Sequence, residues 1–363
     1  MTDDDSTRST PSRSGLRAIW IAYVAVATLW AVQVIRQLAL DLRFEDALIV
    51  LRYARNLVEG HGFVFNIGEQ VLGVTTPLHT LTSTLWVVLG GEDAPGWQNA
   101  AGVVWLAIQG AFAMAWLQRL GRPWLMLPVG WLILGNYNLV YLYFGMETHA
   151  FAALALCALW LAADRTRVDH ASRPITLGIV LGAAFLLRYD AALLALLIGL
   201  DAWWRERRLP IRMTVAFFAV VTPWLVYAQL TFGSILPQPL DAKEGFVGLV
   251  DYLRNVHAYY RDTWTWVLGA IFPWDRGIGF SARLFPAVIA LGVLGAVLRD
   301  RRALIAALYP ALHGLVYASL GSDPGFRWHV YLLNPFGFLF FALGVEEGIR
   351  LATRWAPERW VVV

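Results

Sequence analysis

Apolar runs long enough to cross a membrane recur from one end of this 363-residue chain to the other. Each run is bounded by arginine, proline, glycine or acidic residues. Hydrophobic residues make up 58% of the sequence and charged residues 15%, whereas soluble domains carry about 25% charged residues. A soluble fold cannot bury so much apolar surface. The sequence therefore predicts an all-α polytopic membrane protein that lies in the lipid bilayer.

Hydropathy over a window of about 19 residues predicts ten spans. They cover residues 17–39, 98–118, 123–143, 148–163, 174–187, 191–204, 211–231, 283–298, 303–321 and 328–350. Residues 1–16 are polar and rich in proline, serine and threonine, which predicts a disordered cytoplasmic tail. A transmembrane domain is then expected over 17–352, with a second cytoplasmic tail over 353–363.

Arginine positions predict the orientation, because cytoplasmic loops are enriched in lysine and arginine. With ten spans, six arginine clusters fall on one side: Arg8, Arg13 and Arg17; Arg119 and Arg122; Arg165, Arg167 and Arg173; Arg205, Arg207 and Arg208; Arg299, Arg301 and Arg302; Arg354 and Arg359. That side is predicted to be cytoplasmic. The outer segments are then 40–97, 144–147, 188–190, 232–282 and 322–327.

This topology depends on the apolar stretch 77–91. Counting it as a span would place Arg119 and Arg122 outside, and about fifteen residues is short for a full crossing. We therefore predict a re-entrant or interfacial helix there, and another over 263–274.

A one-sided helix is predicted over residues 46–59 of the first outer loop. Its apolar side chains follow helical spacing, at Ala47, Val50, Leu51, Ala54, Leu57 and Val58. Arg52, Arg55, Asn56 and Glu59 occupy other faces. Asp46 would begin the helix, where an acid complements the helix dipole, and Gly60 would cap its end. Such a helix would lie on the outer membrane surface.

Several outer segments contain short motifs in a defined order. The first loop has Glu-Asp at 45–46, Arg-Tyr-Ala-Arg-Asn-Leu at 52–57, Gly-His-Gly-Phe-Val-Phe-Asn at 60–66, Gly-Glu at 68–69 and Gly-Val-Thr-Thr-Pro-Leu at 73–78. Later come Gly-Met-Glu-Thr at 145–148, Arg-Tyr-Asp at 188–190 and Gly-Ser-Ile-Leu-Pro-Gln-Pro at 233–239. The whole pattern resembles the GT-C glycosyltransferases related to the mycobacterial terminal arabinofuranosyltransferase, and it covers most of residues 40–340.

The resemblance implies a GT-C-like fold in the plasma membrane with its active site on the outer face. It implies a polyprenyl-phosphate sugar donor, an arabinofuranose or mannose-like sugar, a glycan or glycolipid acceptor of the cell envelope, and a first-loop carboxylate at the reacting centre. Gln238 and Pro239 stand where the family usually has an Asn-Thr-type pair, and Tyr189 where it usually has proline. The identities of sugar and acceptor therefore stay open.

Elementary chemistry agrees with such a site. A sugar hydroxyl is a poor nucleophile that benefits from a carboxylate base, and a departing polyprenyl phosphate needs arginine, lysine or a divalent cation beside it. Asp46 is our candidate base. Glu45 points about 100° away on the same helix, so it is the second catalytic candidate or a metal or cap residue. The candidate cofactor is a divalent cation.

The substrate-binding candidates are the polar residues of the outer segments. They are Arg52, Tyr53, Asn66, Glu69, Thr75, Thr76, His79, Glu147, Arg188, Asp190, Gln238, Lys243, Arg327 and His329. Each also has a structural interpretation. Asp46 and Glu147 could serve only as helix starts, Arg188 and Asp190 as the polar turn of a helical hairpin, and Lys243 and Arg327 as interfacial anchors.

The alternative functions are a transporter or flippase of lipid-linked cell-envelope precursors, and a non-catalytic membrane scaffold. A transporter tends to place ionisable residues near the bilayer midplane on repeated, broken helices, whereas here they lie at span ends on one side and no repeat is visible. A scaffold does not need such clustering. The net charge of +3 and the arginine clusters reflect topology, so nucleic-acid binding is not predicted.

Overall fold

The computed structural model of the protein describes residues 13–38, 45–135, 145–163, 172–238, 248–251, 253–254, 257, 279–319 and 333–355. Predictions for 263–274, Lys243, Arg327 and His329 lie outside these residues. Within them the chain forms α-helices joined by short turns and 3-10 segments, and no strand, which confirms the predicted all-α class.

The twelve α-helices of the described residues are α1 (Arg13–Leu38), α2 (Glu45–Val58), α3 (Pro77–Gly90), α4 (Ala94–Arg119), α5 (Met126–Gly135), α6 (Thr148–Ala163), α7 (Ser172–Leu187), α8 (Ala191–Glu206), α9 (Ile211–Phe232), α10 (Gly279–Arg299), α11 (Ala303–Ser319) and α12 (Asn334–Trp355). Helix α1 begins inside the predicted tail 1–16, and α12 continues past 352. Both extend further because each residue added to a helix end gains a backbone hydrogen bond.

Three helical stretches of the described chain are long and apolar enough to cross a membrane: Arg13–Val32, Pro77–Arg119 and Ile211–Phe232. Shorter apolar helices cover Pro123–Leu134, Thr148–Ala163, Arg173–Leu187, Leu284–Arg299 and Ala303–Tyr317. The helices pack side by side, most closely α4 with α6, α7 with α9 and α10 with α12. Small residues permit this approach: a Cβ at Gly178 of α7 would collide with the Met213 carbonyl of α9.

Helices α3 and α4 are two separate helices that fold back on each other. His79 near the start of α3 hydrogen-bonds to Gln98 near the start of α4, 19 residues later. In one straight helix these residues would be about 28 Å apart. Gly91, at a φ of 55°, breaks the helix between them. Helix α3 alone is about 21 Å long, shorter than a bilayer core of about 30 Å. That it is re-entrant or interfacial stays a prediction.

The bundle has two chemically different ends. Helix α7 leads into α8 through Arg188–Asp190, so Arg173 and Arg205 lie at the opposite end. At that opposite end Arg302 donates to the Arg119 carbonyl at 2.6 Å, and Arg122 pairs with Glu346 at 3.2 Å. We call it the arginine end. The described arginines predicted to share one face of the membrane thus lie together, away from Arg188.

The end that holds Arg188 and Asp190 also holds Glu147, and we call it the carboxylate end. Glu147 directly precedes α6, so the helix start places its side chain at this end of the bundle. Glu147 is buried, 3% exposed, as is Arg188, 6% exposed. Buried charged side chains are rare unless they are paired, so this end is where a function would be sought.

Candidate functional site

Helix α2 forms the surface of the carboxylate end and is one-sided as predicted. Ala47, Val50, Leu51 and Ala54 are buried, while Arg52 and Arg55 are exposed. Val58 is 43% exposed because it lies in the last turn, beyond the neighbouring helices. Gly60 follows with a φ of 82°, which suits the predicted cap.

Two polar side chains of α2 hold the first loop in place. Asn56 was expected on an outward face, but it is 1% exposed and donates to the carbonyls of Val64 and Phe65, both at 2.8 Å. The Tyr53 hydroxyl donates to the Val71 carbonyl at 2.9 Å and accepts the Gly73 N–H at 3.0 Å. The loop returns over α2, so these side chains satisfy backbone groups that water would otherwise reach.

Tyr53 is a substrate-binding candidate that the structure places inside the loop rather than at its surface. Its side chain is 1% exposed and packs against Phe63, with ring centroids 5.2 Å apart. Burial raises the pKa of the Tyr53 phenol, although the Gly73 hydrogen bond opposes this shift. The hydroxyl therefore stays a neutral donor to the loop backbone.

The exposed polar residues of the loop lie at its rim. Asn66 donates to Glu69 at 3.0 Å, and both side chains are exposed. Arg52 donates through Nε to the Phe65 carbonyl at 3.3 Å and is also exposed. The Gln238 N–H donates to the Leu72 carbonyl at 3.0 Å, which brings the segment after α9 to the first loop. The Gln238 side chain is exposed beside this contact.

The two catalytic candidates lie in the first turn of α2. Glu45 is exposed and Asp46 is half-buried. Ala47, the next residue, packs against the segment that precedes α6: a Cβ at Gly145 would lie 3.1 Å from the Ala47 Cβ and 2.8 Å from Asn99 Oδ1. The acidic start of α2 is therefore adjacent to the segment that carries Glu147.

His79 joins α3 and α4 to the same segment. Its Nε2 lies 2.9 Å from the Gly145 carbonyl and 3.0 Å from Gln98 Nε2, and Gln98 also donates to the Gly145 carbonyl. His79 is 8% exposed. Thr76 is buried just before α3, where its carbonyl accepts the Thr80 N–H at 3.0 Å, and Thr75 is half-buried. His79 therefore lies against the segment that carries Glu147, and Thr75 and Thr76 precede His79 along the chain.

Glu147 and Arg188 form a buried ion pair. Arg188 Nη1 donates to Glu147 Oε1 at 2.8 Å, and the two side chains are 7% and 4% exposed, respectively. Arg188 Nε also donates to the Asp190 carboxylate, at 3.2 and 3.3 Å to its two oxygens. One guanidinium is thus held between two carboxylates. The turn between α7 and α8 makes this possible, because it places Arg188 and Asp190 two residues apart.

Helix α11 completes the cluster with residues that the sequence analysis missed. Asp190 Oδ2 lies 3.0 Å from His313 Nε2 and accepts the Tyr317 hydroxyl at 3.0 Å. Arg188 Nη2 donates to the same hydroxyl at 3.3 Å. Tyr309, His313 and Tyr317 recur at every fourth position of α11, so they share one face. That spacing, with a histidine inside an apolar helix, was the available signal.

The charges of the cluster limit what it can bind. Arg188 already donates from Nε, Nη1 and Nη2, and its positive charge is balanced by Glu147 and Asp190. An additional anion would need other cations. Lys243 and Arg327, which we predicted to join Arg188 around a phosphate, lie outside the described residues. Carboxylates and hydroxyls in this arrangement are suited to bind a polyol and to accept a proton.

A divalent cation does not fit the described side chains. Within the part of the chain that the structure describes, no group of three histidine, cysteine, aspartate or glutamate residues is arranged to hold a metal ion. Glu147 and Asp190 are bridged by Arg188 instead, and His313 hydrogen-bonds to Asp190.

No protein-family model matches the sequence, and a comparison with curated proteins gives no match. The fold matches the crystal structure of ArnT from Cupriavidus metallidurans bound to undecaprenyl phosphate, with a TM-score of 0.60 and 16% sequence identity. The match covers 92% of this chain and 63% of the ArnT chain, so this protein spans less than two thirds of that structure. At this identity the likeness concerns the fold: the chain has an all-helical fold similar to that of ArnT.

Proposed function

We propose that this protein is a membrane glycosyltransferase that transfers a sugar from a polyprenyl-phosphate donor to an acceptor hydroxyl. One observation carries the proposal. In a fold similar to that of ArnT bound to undecaprenyl phosphate, the acidic first turn of α2 lies beside the segment that carries Glu147, and Arg188 joins Glu147 to Asp190.

Asp46 is the proposed base. It is half-buried in the first turn of α2, beside the segment that carries Glu147. In the proposed step the acceptor oxygen forms a bond to the anomeric carbon while its proton moves to the Asp46 carboxylate. The bond from that carbon to the phosphate oxygen breaks, and polyprenyl phosphate leaves with the electron pair. Glu45 remains the second catalytic candidate, because it is exposed on the same turn.

The remaining candidates are proposed to bind the sugar and the lipid phosphate. Glu147 and Asp190, held by Arg188, would accept hydrogen bonds from sugar hydroxyls. Asn66, Glu69 and Gln238 would contact substrate at the exposed rim. Thr75, Thr76, His79 and Tyr53 would shape the wall behind them. The charge of the phosphate would be balanced by Arg52, by Lys243 of the outer segment 232–282, and by Arg327 and His329 of the segment before α12.

The finer assignments rest on the motif resemblance. It favours an arabinofuranose or mannose-like sugar, a cell-envelope glycan or glycolipid as acceptor, and a site on the outer face of the plasma membrane. The arrangement of charges is consistent with that orientation, because the arginine end lies opposite the carboxylate end.

A donor screen tests the proposal. Purified protein in lipid nanodiscs would be mixed with a panel of polyprenyl-phosphate sugars and an envelope extract of the producing cell, and products followed by mass spectrometry. We expect one donor to be consumed and one sugar mass to appear on an acceptor without any membrane gradient.

The test variant is Asp46→Asn, which removes the proposed base. The matched control is Asp201→Asn. Asp201 lies near the arginine end of α8, in an ion pair with Arg205 at 2.7 Å, so its neutralisation should leave transfer unchanged. A lipid-linked-precursor flippase would move donor across a sealed vesicle and leave every donor intact. That result would overturn the glycosyltransferase proposal.

A further inference from the structure

Helix α11 presents a row of polar rings to the carboxylate end. Tyr309, His313 and Tyr317 lie on one face of the helix, and the first two are 0% and 2% exposed. The His313 and Tyr317 rings stack with centroids 4.5 Å apart and planes 27° from parallel. Stacking fixes both rings against each other, so the atoms that they direct toward Asp190 have little freedom.

Both rings bind the same carboxylate oxygen. His313 Nε2 and the Tyr317 hydroxyl each lie 3.0 Å from Asp190 Oδ2. An ionised carboxylate only accepts hydrogen bonds, so this contact requires the imidazole hydrogen to be on Nε2. Together with Arg188 Nε, the two rings direct three donors at one carboxylate and leave it a single orientation.

The fixed geometry extends from α11 to Glu147. Tyr317 accepts a hydrogen bond from Arg188 Nη2 at 3.3 Å, and Arg188 Nη1 donates to Glu147 at 2.8 Å. A displacement of the Tyr317 hydroxyl would therefore shift Asp190 directly, and it would shift Glu147 through the Arg188 guanidinium. Four parts of the fold meet here: the start of α6, the end of α7, the start of α8 and α11.

We propose that His313 and Tyr317 are positioning residues that hold Asp190, and through Arg188 also Glu147, in the geometry needed for sugar transfer. This role rests on the proposed function. Stability alone is a poor explanation for the cluster, because replacing buried ion pairs with well-packed apolar residues is often neutral or stabilising. Helix α11 already packs against α8 and α10, and its Ile305 and Ala306 belong to the apolar core.

The test compares the same substitution at two positions of one helix face. Tyr317→Phe removes a hydroxyl that contacts Asp190 and Arg188. Tyr309→Phe removes a buried hydroxyl that has no hydrogen-bond partner within the described chain. We expect Tyr317→Phe to lower kcat for transfer about 10²-fold at unchanged donor KM, the scale on which misplaced groups act, and Tyr309→Phe to match the wild type.

His313 supplies a conservative rescue. His313→Leu should lower kcat to a similar degree, and His313→Gln should restore most of it, because the glutamine amide can donate from near the position of Nε2. All rates are taken per folded molecule, counted by size-exclusion chromatography, so that loss of folded protein is not read as loss of kcat.

The outcomes separate the two proposals. If the wild-type protein transfers sugar and the Tyr317→Phe and His313→Leu variants keep the wild-type kcat, the positioning role alone is overturned. A wild-type protein that consumes no donor across the panel would overturn the proposed function, and this role with it. A lowered kcat for Tyr309→Phe equal to that of Tyr317→Phe would show a general packing effect and also overturn the role.

Discussion

Arg188 Nη1 donates to Glu147 Oε1 at 2.8 Å across 41 residues of sequence, and both side chains are buried. The pair joins the start of α6 to the turn between α7 and α8. Because Asp190 lies on the other side of the same guanidinium, one cation compensates two carboxylates. Among the described residues of this cluster, Arg188 is the single arginine that balances the charges of both carboxylates.

Arg188→Leu should destabilise the fold strongly. It leaves the buried Glu147 and the partly buried Asp190 without their cation, and removing one partner of a buried pair typically costs about 3–5 kcal/mol. The measurement is unfolding by denaturant in detergent micelles. The control is Arg254→Leu, which breaks an ion pair with Asp251 whose side chains are 72% and 57% exposed. An exposed pair should contribute less than about 1 kcal/mol, so equal effects of both substitutions would contradict this reading.

Asp46→Asn should keep the fold and donor binding but lose most transfer. Asparagine is nearly isosteric and removes only the proton acceptor, an effect of about 10²-fold to 10⁴-fold. Glu45→Gln should lower the rate less. If Asp46 serves only as a helix start, activity should barely change, because asparagine caps a helix as well as aspartate. Near-normal transfer by Asp46→Asn, with loss in Glu45→Gln or Glu147→Gln, would move the base to another carboxylate.

Tyr53→Phe should loosen the first loop. The substitution leaves the Val71 carbonyl and the Gly73 N–H without their partner, at a cost of about 1–3 kcal/mol. Hydrogen–deuterium exchange of the peptide over 61–75 should become faster. Tyr227→Phe on α9 is the matched control, because the Tyr227 side chain is 39% exposed and water can satisfy the groups around it. Unchanged exchange in Tyr53→Phe would show that other contacts hold the loop.

Cysteine labelling should report both ends of the bundle. Cys157 is buried and is the one cysteine of the sequence, so Cys157→Ser provides a suitable background. A thiol at Glu92, in the exposed turn between α3 and α4, should react with an impermeant reagent from outside the cell. A thiol at Arg208, just after α8, should react only from the cytoplasm. Labelling of the Glu92 thiol from the cytoplasm alone would mean that α3 spans the membrane.

Helix positions could be predicted closely because they depend on local sequence. The predicted spans 148–163 and 211–231 correspond to α6 (Thr148–Ala163) and α9 (Ile211–Phe232). Apolar residues at helical spacing also identified α2. Asn56 was assigned to the wrong face, because its burial comes from a loop that returns over the helix, and spacing within α2 carries no information about that loop.

The sequence by itself determined that the protein is helical, lies in lipid and concentrates its arginines at one end, because apolar run length and charge position act locally. It also placed Glu147, Arg188 and Asp190 at helix ends. Only the tertiary structure decided that His313 and Tyr317 bind Asp190, 123 and 127 residues away along the chain. Which face of one helix meets another depends on side-chain packing across the whole bundle, and periodicity within a single helix does not specify its partner.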